Sequence, residues 1–426
     1  MTVHESQFIT PDQLCIGLYI HLDVAWTRHP FAVSNFKIKD KEQIHTIRSL
    51  GLESIRYDSL RSDCAPLSLE SVPAATQLHS ETSDTPARVA FLSDRAKRTH
   101  QAIRESEQHF THAISAARQA LHKINARPDD ALAEAESLIN DMVERAMLED
   151  SAIVQYMDGS RFAEDAYFHP LNVTVLCLMM AKALSLSVEE ARCLGMAALF
   201  HDIGKIEVPS SVLMNHGNLN KAELALLHQH AEYGAHIING VQKASVSERV
   251  AKLISQHHEY ADGSGYPAGL KGAEIDALAG ILSLANSYDH LCNPHNLAEA
   301  MTPYSALAHL FSSERKKHDG SLLNVFIKML GIYPPGSVVM LNDGSYGIVV
   351  SVNPQQLLRP IVMLHDKRMA RDVPNILDLS EDEDVGINQC IHASQLPPEV
   401  ANYLQCRQKL SYYFRTKQRA GEASTA

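Results

Sequence analysis

The sequence predicts a mainly α-helical protein, with a small mixed α/β module at its N-terminus and a short strand-rich appendage at its C-terminus. Three observations predict it. Between residues 90 and 332 apolar residues recur at helical spacing, as in Ile114, Ala117, Leu121 and Ile124. Helix-start signals sit inside that stretch, such as Ser187 with Glu190 three residues on, and Asn220-Lys221-Ala222-Glu223. β-branched runs broken by turn residues mark the two ends, as in Ile16–Ile20 and Tyr346–Val352.

In chain order, residues 1–62 read as the mixed module. Phe8-Ile9-Thr10, Ile16–Ile20 and Leu52–Tyr57 have strand character, Trp26 and Pro30-Phe31 sit in a turn-like stretch, and Lys41–Leu50 reads as a helix closed by Gly51. No titratable cluster there points to catalysis, so a regulatory or packing role is expected. Residues 63–89 are rich in Ser, Pro, Ala and Thr, the composition of a flexible linker. Residues 90–150 read as a helical connector, broken at Arg127-Pro128-Asp129-Asp130 and resuming from about Ala131 to Met147. Its two helices can pack on the helical unit C-terminal to them, dimerise or carry a signal, and a homodimer is left open.

Residues 151–332 read as nearly all helix. Pro170 suits a first turn, with Val173, Leu176 and Met180 as its buried stripe. The helix opened by Ser187 runs through Leu194 and Leu199 to His201-Asp202, with Gly204 as its stop. One helix over 222–240 is expected to carry His228, His230 and His236, another over 246–258 to end in His257-His258, and Asp262–Gly272 is a loop. Residues 333–426 form the appendage: strands at Ser337–Leu341, Tyr346–Val352 and Ile361–Leu364, then a helix over Gln395–Phe414 anchored by Tyr412-Tyr413-Phe414.

The chain has 426 residues, 45% apolar and 21% charged, with a formal net charge of -12. That balance fits a globular protein and argues against a general nucleic-acid binder. Seven scattered cysteines without a Cys-x-x-Cys pair read as reduced thiols, and the start lacks the basic and apolar regions of a signal peptide. A cytoplasmic protein without a membrane span is expected.

Of the 23 histidines, eight fall between residues 169 and 258, which marks the region for metal chemistry. His201 and Asp202 are adjacent, about 100° apart on a helix, so both reach one cation only if it sits against the helix end. A hydrolytic two-metal site needs a bridging group, and a carboxylate is the natural one because its two oxygens serve two cations. Asp202 is the expected bridge. His169 and His201 would serve one cation, and His230, His257 and His258 the other. His230 and His236, six apart, do not share a helix face cleanly, so His236 is read as a bystander. Imidazole-rich sites of this kind suit Fe or Mn, and also Ni, Co or Zn.

Residues 165–336 resemble the HD-GYP family, the cyclic di-GMP phosphodiesterase branch of the HD metallohydrolases. The resemblance rests on His169, on His201-Asp202-Ile203-Gly204-Lys205, on His230 with Gly234, and on the run from His257 to Pro267 that holds Gly265-Tyr266-Pro267. Residues 8–62 resemble a small domain often found ahead of this unit, and residues 333–414 the tail that accompanies it. The resemblance implies an HD-type helical metallohydrolase fold and two divalent metal ions. It implies hydrolysis of cyclic di-GMP to linear pGpG or GMP. It also implies that Lys205 contacts a substrate phosphate, where a cation opposes the negative charge; the alternative for Lys205 is a charge capping the helix C-terminus. The loop at Gly265, Tyr266 and Pro267 would border the substrate and offer a surface to diguanylate cyclase-type or other signalling proteins.

The chain departs from the family pattern at four places. Asn286, within Ala285-Asn286-Ser287-Tyr288-Asp289, stands where the family has a ligand aspartate. His295 and Ala298 stand where it often has an arginine and a lysine that grip phosphate, and Asp165 where some members place a glutamate for a third metal. An amide oxygen still coordinates, but it is neutral. Two other readings therefore stand beside the enzyme: a catalytically weak unit that binds cyclic di-GMP or signalling partners as a sensor, and another HD-type hydrolase acting on nucleotides.

Overall fold

The computed structural model describes residues 7–22, 35–49, 52, 54–59, 61–67, 86–148, 153–158, 167–215, 219–241, 247–353, 355–366, 375–382, 384–404 and 410–415. The chain divides into two units, Met1–Val89 and Ala90–Ala426. The first holds β1 (Gln7–Ile9), β2 (Tyr19–His21), β3 (Asn35–Lys37), α1 (Lys41–Ser49) and β4 (Ile55–Asp58). Its antiparallel sheet has the order β1-β4-β2-β3, over a core that includes Ile9, Leu18, Ile20, Ile38, Ile47 and Ile55. The strands and helix read from the sequence are present, with β3 added. Trp26, Pro30-Phe31 and residues 68–85 of the expected linker lie outside the described residues.

The second unit is built around α2 (Pro86–Lys123), α3 (Pro128–Val143), β5 (Ile153–Asp158), α4 (Phe168–Ala183) and α5 (Val188–Phe200). It continues with α6 (Ser210–Leu213), α7 (Lys221–His228), α8 (His230–Asn239), α9 (Ser247–Gln256), α10 (Ala277–Cys292), α11 (Pro303–Ser312) and α12 (Gly320–Leu330). α4 is the central rod. Every residue from Leu171 to Ala181 is buried, the state of a helix that is apolar all round. α2 and α3 join the same core through Phe110, Ala117, Leu138 and Met142, so the connector packs on the block. The expected caps are present: Ser187 and Glu190 close a capping box on α5, and Asn220 with Glu223 does so on α7.

A seven-stranded sheet closes the block. It contains β6 (Val338–Leu341), β7 (Tyr346–Ser351), β8 (Ile361–Leu364), β9 (Asn375–Asp378) and β10 (Ile387–Cys390), with α13 (Pro398–Leu404) and β11 (Leu410–Arg415) after them. The order is β10-β6-β7-β5-β11, with β8 between β7 and β9. Two expectations are corrected here. Residues 151–332 are not all helix, because β5 pairs along its whole length with β11. The C-terminal helix is only α13, and Tyr412-Tyr413-Phe414 lie on β11, where aromatic side chains suit a strand packed on a core.

Two more corrections concern the centre of the block. The helix expected over 222–240 breaks at Gln229 into α7 and α8. α5 ends at Phe200, before Gly204, which lies in a 3-10 turn at Ile203–Glu207. Gly204 is needed for close approach: a Cβ there would meet the carbonyl oxygen of His230 at 2.0 Å and the nitrogen of Gly234 at 2.4 Å. Both are backbone atoms of α8, and backbone does not yield as a flexible side chain does. Gly204→Ala is therefore expected to lower stability by about 1–3 kcal/mol, read as a fall in thermal midpoint. Gly234→Ala should cost less, since its Cβ would meet the movable Ile254 Cγ2 at 3.0 Å. Equal midpoints for wild type and Gly204→Ala would show that this contact does not set the packing of α8.

Candidate metal centre

Helix ends converge on one point. His169 is the second residue of α4, His201 caps the C-terminus of α5, His230 opens α8, and His257-His258 come directly after α9. Three of these histidines repeat one local device. The ring Nδ1 of His201 lies 2.7 Å from the Ala198 carbonyl oxygen, that of His230 2.6 Å from Leu227, and that of His257 2.6 Å from Ile254. A carbonyl only accepts, so each Nδ1 carries the proton. His169 donates from Nδ1 to the Asp289 carboxylate at 2.7 Å.

The other ring nitrogens then face inward as lone pairs. The Nε2 atoms of His169 and His201 stand 3.1 Å apart, and those of His230 and His257 3.3 Å apart. Burial pushes the His201 ring down to about 4 and holds His257 and His258 well below an ordinary imidazole, so these rings are neutral. Two lone pairs facing each other repel unless a cation lies between or beside them. The donor set therefore fits metal ions at two places.

Asp202 lies between the two pairs. Its Oδ2 is 3.8 Å from His169 Nε2 and 3.5 Å from His201 Nε2, while its Oδ1 is 3.4 Å from His230 Nε2 and 4.0 Å from His257 Nε2. That Oδ1 is buried and accepts no hydrogen bond. Two candidate donor sets result, one of Asp202, His230, His257 and His258, the other of His169, His201 and Asp202, each with ligand atoms within 4.8 Å of one another. Burial alone would raise the Asp202 carboxyl, but Lys205, His201 and His230 overcome it and hold the group well below the usual carboxylate value. Lys205 Nζ donates to Asp202 Oδ2 at 2.6 Å, an ion pair across the 3-10 turn rather than a helix cap.

Asn286 is 2% exposed, and its Oδ1 accepts no hydrogen bond, an orphaned oxygen suited to a cation. Three residues on, Asp289 supports His169. A cleft of about 990 Å³ opens on the centre, lined by His169, Asp202, Lys205 and His290 among others. His295 and Ala298 are exposed, and His295 lines this cleft. His228 and His236 are outside both donor sets. Asp165 lies outside the described residues.

The Gly265-Tyr266-Pro267 loop packs behind the ligands. Tyr266 stacks on His228 at 3.6 Å and on His258 at 4.5 Å between ring centroids. A Cβ on Gly265 would meet the His258 carbonyl oxygen at 2.4 Å. Glu259, only 2% exposed, accepts the backbone N–H groups of Ala268, Gly269 and Leu270 and so folds the loop back. None of the three motif residues lines the cleft.

The sequence reading missed three residues at the centre. Asp289 supports His169, His290 lies tilted against His169 with ring centroids 4.5 Å apart, and Asn172 donates to Asp289 Oδ1 at 3.0 Å. The signal available for Asp289 was its i,i+3 spacing from Asn286, which puts both on one side of α10.

Residues 130–322 match the model of the HD domain, residues 6–135 that of a domain of unknown function (DUF3391), and residues 338–397 that of a KOW domain associated with HD domain. The chain is similar to cyclic di-GMP phosphodiesterase PA4108 of Pseudomonas aeruginosa, 27% identical over 358 residues, 82% of this chain and 83% of that one. Shorter matches are the cyclic di-GMP phosphodiesterase response regulator RpfG of Xanthomonas campestris pv. campestris, 34% identical over 178 residues, 41% of this chain and 45% of that one, and 3'3'-cGAMP-specific phosphodiesterase 1 of Vibrio cholerae, 37% identical over 123 residues, 29% of this chain and 28% of that one. The chain thus spans most of the first relative and less than half of the other two. On these matches and the histidine–aspartate centre, residues 130–322 carry an HD domain, and the chain is similar to cyclic di-GMP and 3'3'-cGAMP phosphodiesterases.

Proposed function

We propose that the chain hydrolyses cyclic di-GMP, to linear pGpG or GMP, at a centre of two divalent metal ions. The observation that carries the reading is the division of Asp202 between two imidazole pairs, one oxygen toward each. His169 and His201 would hold one ion, His230, His257 and His258 the other, with Asp202 as bridge and Asn286 as a neutral ligand oxygen. Fe or Mn suits this donor set best, with Ni, Co and Zn also compatible. When bound, such ions supply a water acidic enough to lose a proton near neutral pH and positive charge opposite a phosphate.

The protein's own groups do the rest. The hydrogen bonds from Nδ1 keep each ring in one tautomer and one orientation. Lys205 is held at Asp202 at the cleft wall, where its Nζ would oppose the charge of a phosphate oxygen. His290, exposed on the same wall, offers a second donor.

A second reading has its own support. Asn286 is neutral and Ala298 carries no charge, so a unit that binds cyclic di-GMP without turning it over remains the alternative.

The test is a chromatographic time course of cyclic di-GMP consumption by protein purified without air and loaded with Fe(II) or Mn(II). Asp202→Ala should abolish consumption and lower the bound metal from about two ions per chain, because it removes a donor from both positions. Near-normal consumption in that variant would defeat the two-metal reading. Binding without consumption in the wild type would favour the sensor. Asn286→Asp should tighten metal binding at least about tenfold, since a unit charge ~4 Å from a divalent cation is worth about 8 kcal/mol at an effective dielectric near 20, before desolvation. Unchanged affinity in a calorimetric titration would place Asn286 outside the ligand shell.

A further inference from the structure

We propose that Tyr167 and His122 form a base-binding wall of the cleft, against which one purine of a cyclic dinucleotide stacks. This rests on the cyclic di-GMP reading and adds residues that the histidine–aspartate chemistry does not use. The cleft that opens on Asp202, Lys205 and His290 is also lined by Leu121 and His122 from the C-terminal end of α2, by Asn125 from the turn after it, and by Tyr167, the residue that precedes α4. The two rings lie 5.5 Å apart between centroids at an interplanar angle of 52°. The Arg118 guanidinium carbon stands 5.7 Å from the Tyr167 centroid, within cation–π range. His122 is exposed and Tyr167 half-buried, so aromatic surface borders the cleft.

The placement comes from the chain itself. Tyr167 is two residues before the candidate ligand His169, so their Cα atoms are no more than about 7–8 Å apart. A phosphate held near Asp202 and Lys205 carries its base on an adjoining ribose, and an aromatic ring at Tyr167 stands within a nucleoside's reach of it. A purine offers a flat π-face, and stacking on aromatic side chains is the sequence-tolerant way to hold one. α2 ends ahead of the HD domain match at residues 130–322, so His122 is contributed by the segment that precedes that domain and Tyr167 by the domain itself.

The experiment compares wild type, Tyr167→Ala, His122→Ala and Tyr167→Phe as full-length, Mn(II)-loaded protein. Binding of GMP, which carries a base, and of inorganic phosphate, which does not, is measured by calorimetry, alongside the KM for cyclic di-GMP. Metal content and thermal midpoint are read for every variant. Both alanine variants are expected to weaken GMP about tenfold and to raise KM to match. Phosphate affinity and metal content should be unchanged, and Tyr167→Phe should restore GMP binding because the ring rather than the hydroxyl is used. If the alanine variants bind GMP as the wild type does, the wall is overturned, whatever the substrate. If the wild type does not consume cyclic di-GMP but GMP binding still falls selectively in the alanine variants, the wall stands and the substrate reading falls.

Discussion

One half-buried carboxylate, Asp202, sets the terms for the centre of the block. Four imidazoles converge on it with their lone pairs inward, and three of them are held that way by the same local rule. Each ring donates to the carbonyl three residues before it, Ala198 for His201, Leu227 for His230 and Ile254 for His257. Those carbonyls belong to the last turns of α5, α7 and α9, where the i+4 amide that a helix interior would supply is missing. The histidine satisfies the helix end, and the helix end fixes the tautomer. Local structure thus decides the chemistry: the protons are used up on the backbone, and the inward nitrogens have nothing to share with one another. Only a cation, or protonation against the pull of burial, resolves the clash.

The fourth imidazole is held from farther away. Asp289 accepts the His169 Nδ1–H on Oδ2 and accepts on Oδ1 from Asn172 and Asn293. Those two amides also donate to the Leu410 carbonyl oxygen, Asn293 accepts from the Leu410 nitrogen at 2.7 Å, and Asn172 accepts from the Tyr412 nitrogen at 3.1 Å. The last strand of the fold is therefore tied to the support of a candidate metal ligand by a fully buried carboxylate. Hydrogen bonds to a charged group are worth about 1.5–3 kcal/mol each, and leaving such a group unpaired costs more than that. The C-terminal sheet is part of the frame of the centre, although β11 lies far from the His-Asp pair in sequence.

What the sequence disclosed and what it concealed divide along the same line. Features written in a few neighbouring residues were legible: the capping boxes at Ser187 and Asn220, the His201-Asp202 pair, the run from His257 to Pro267. Features decided by distant partners were not. β5 and β11 are strands because they pair with each other, and no alternation within either announced it. The break at Gln229 has no glycine or proline to mark it; it exists so that the His230 ring can turn back on the Leu227 carbonyl. Gly204 looked like a helix stop, yet its missing Cβ is used for the approach of α8, which only the tertiary structure reveals. Asp289 was passed over because its role depends on His169, 120 residues earlier.

The departures from the family pattern act on one electrostatic balance. Were Asn286 a metal ligand, a loaded centre would be one unit more positive than with a carboxylate there. By the same resemblance, His295 and Ala298 stand where an arginine and a lysine would carry positive charge; His295 lines the cleft and Ala298 is exposed. The first change adds attraction for phosphate at the place where the reacting group must sit. The second removes attraction at the rim, where Coulomb interactions are weakened by water and salt. The two are therefore not independent losses. Positive charge would then be shifted inward from an exposed grip to the centre, where Lys205 already stands against Asp202. A rim with fewer fixed cations would discriminate substrates less by charge, and more by what else they carry into the cleft.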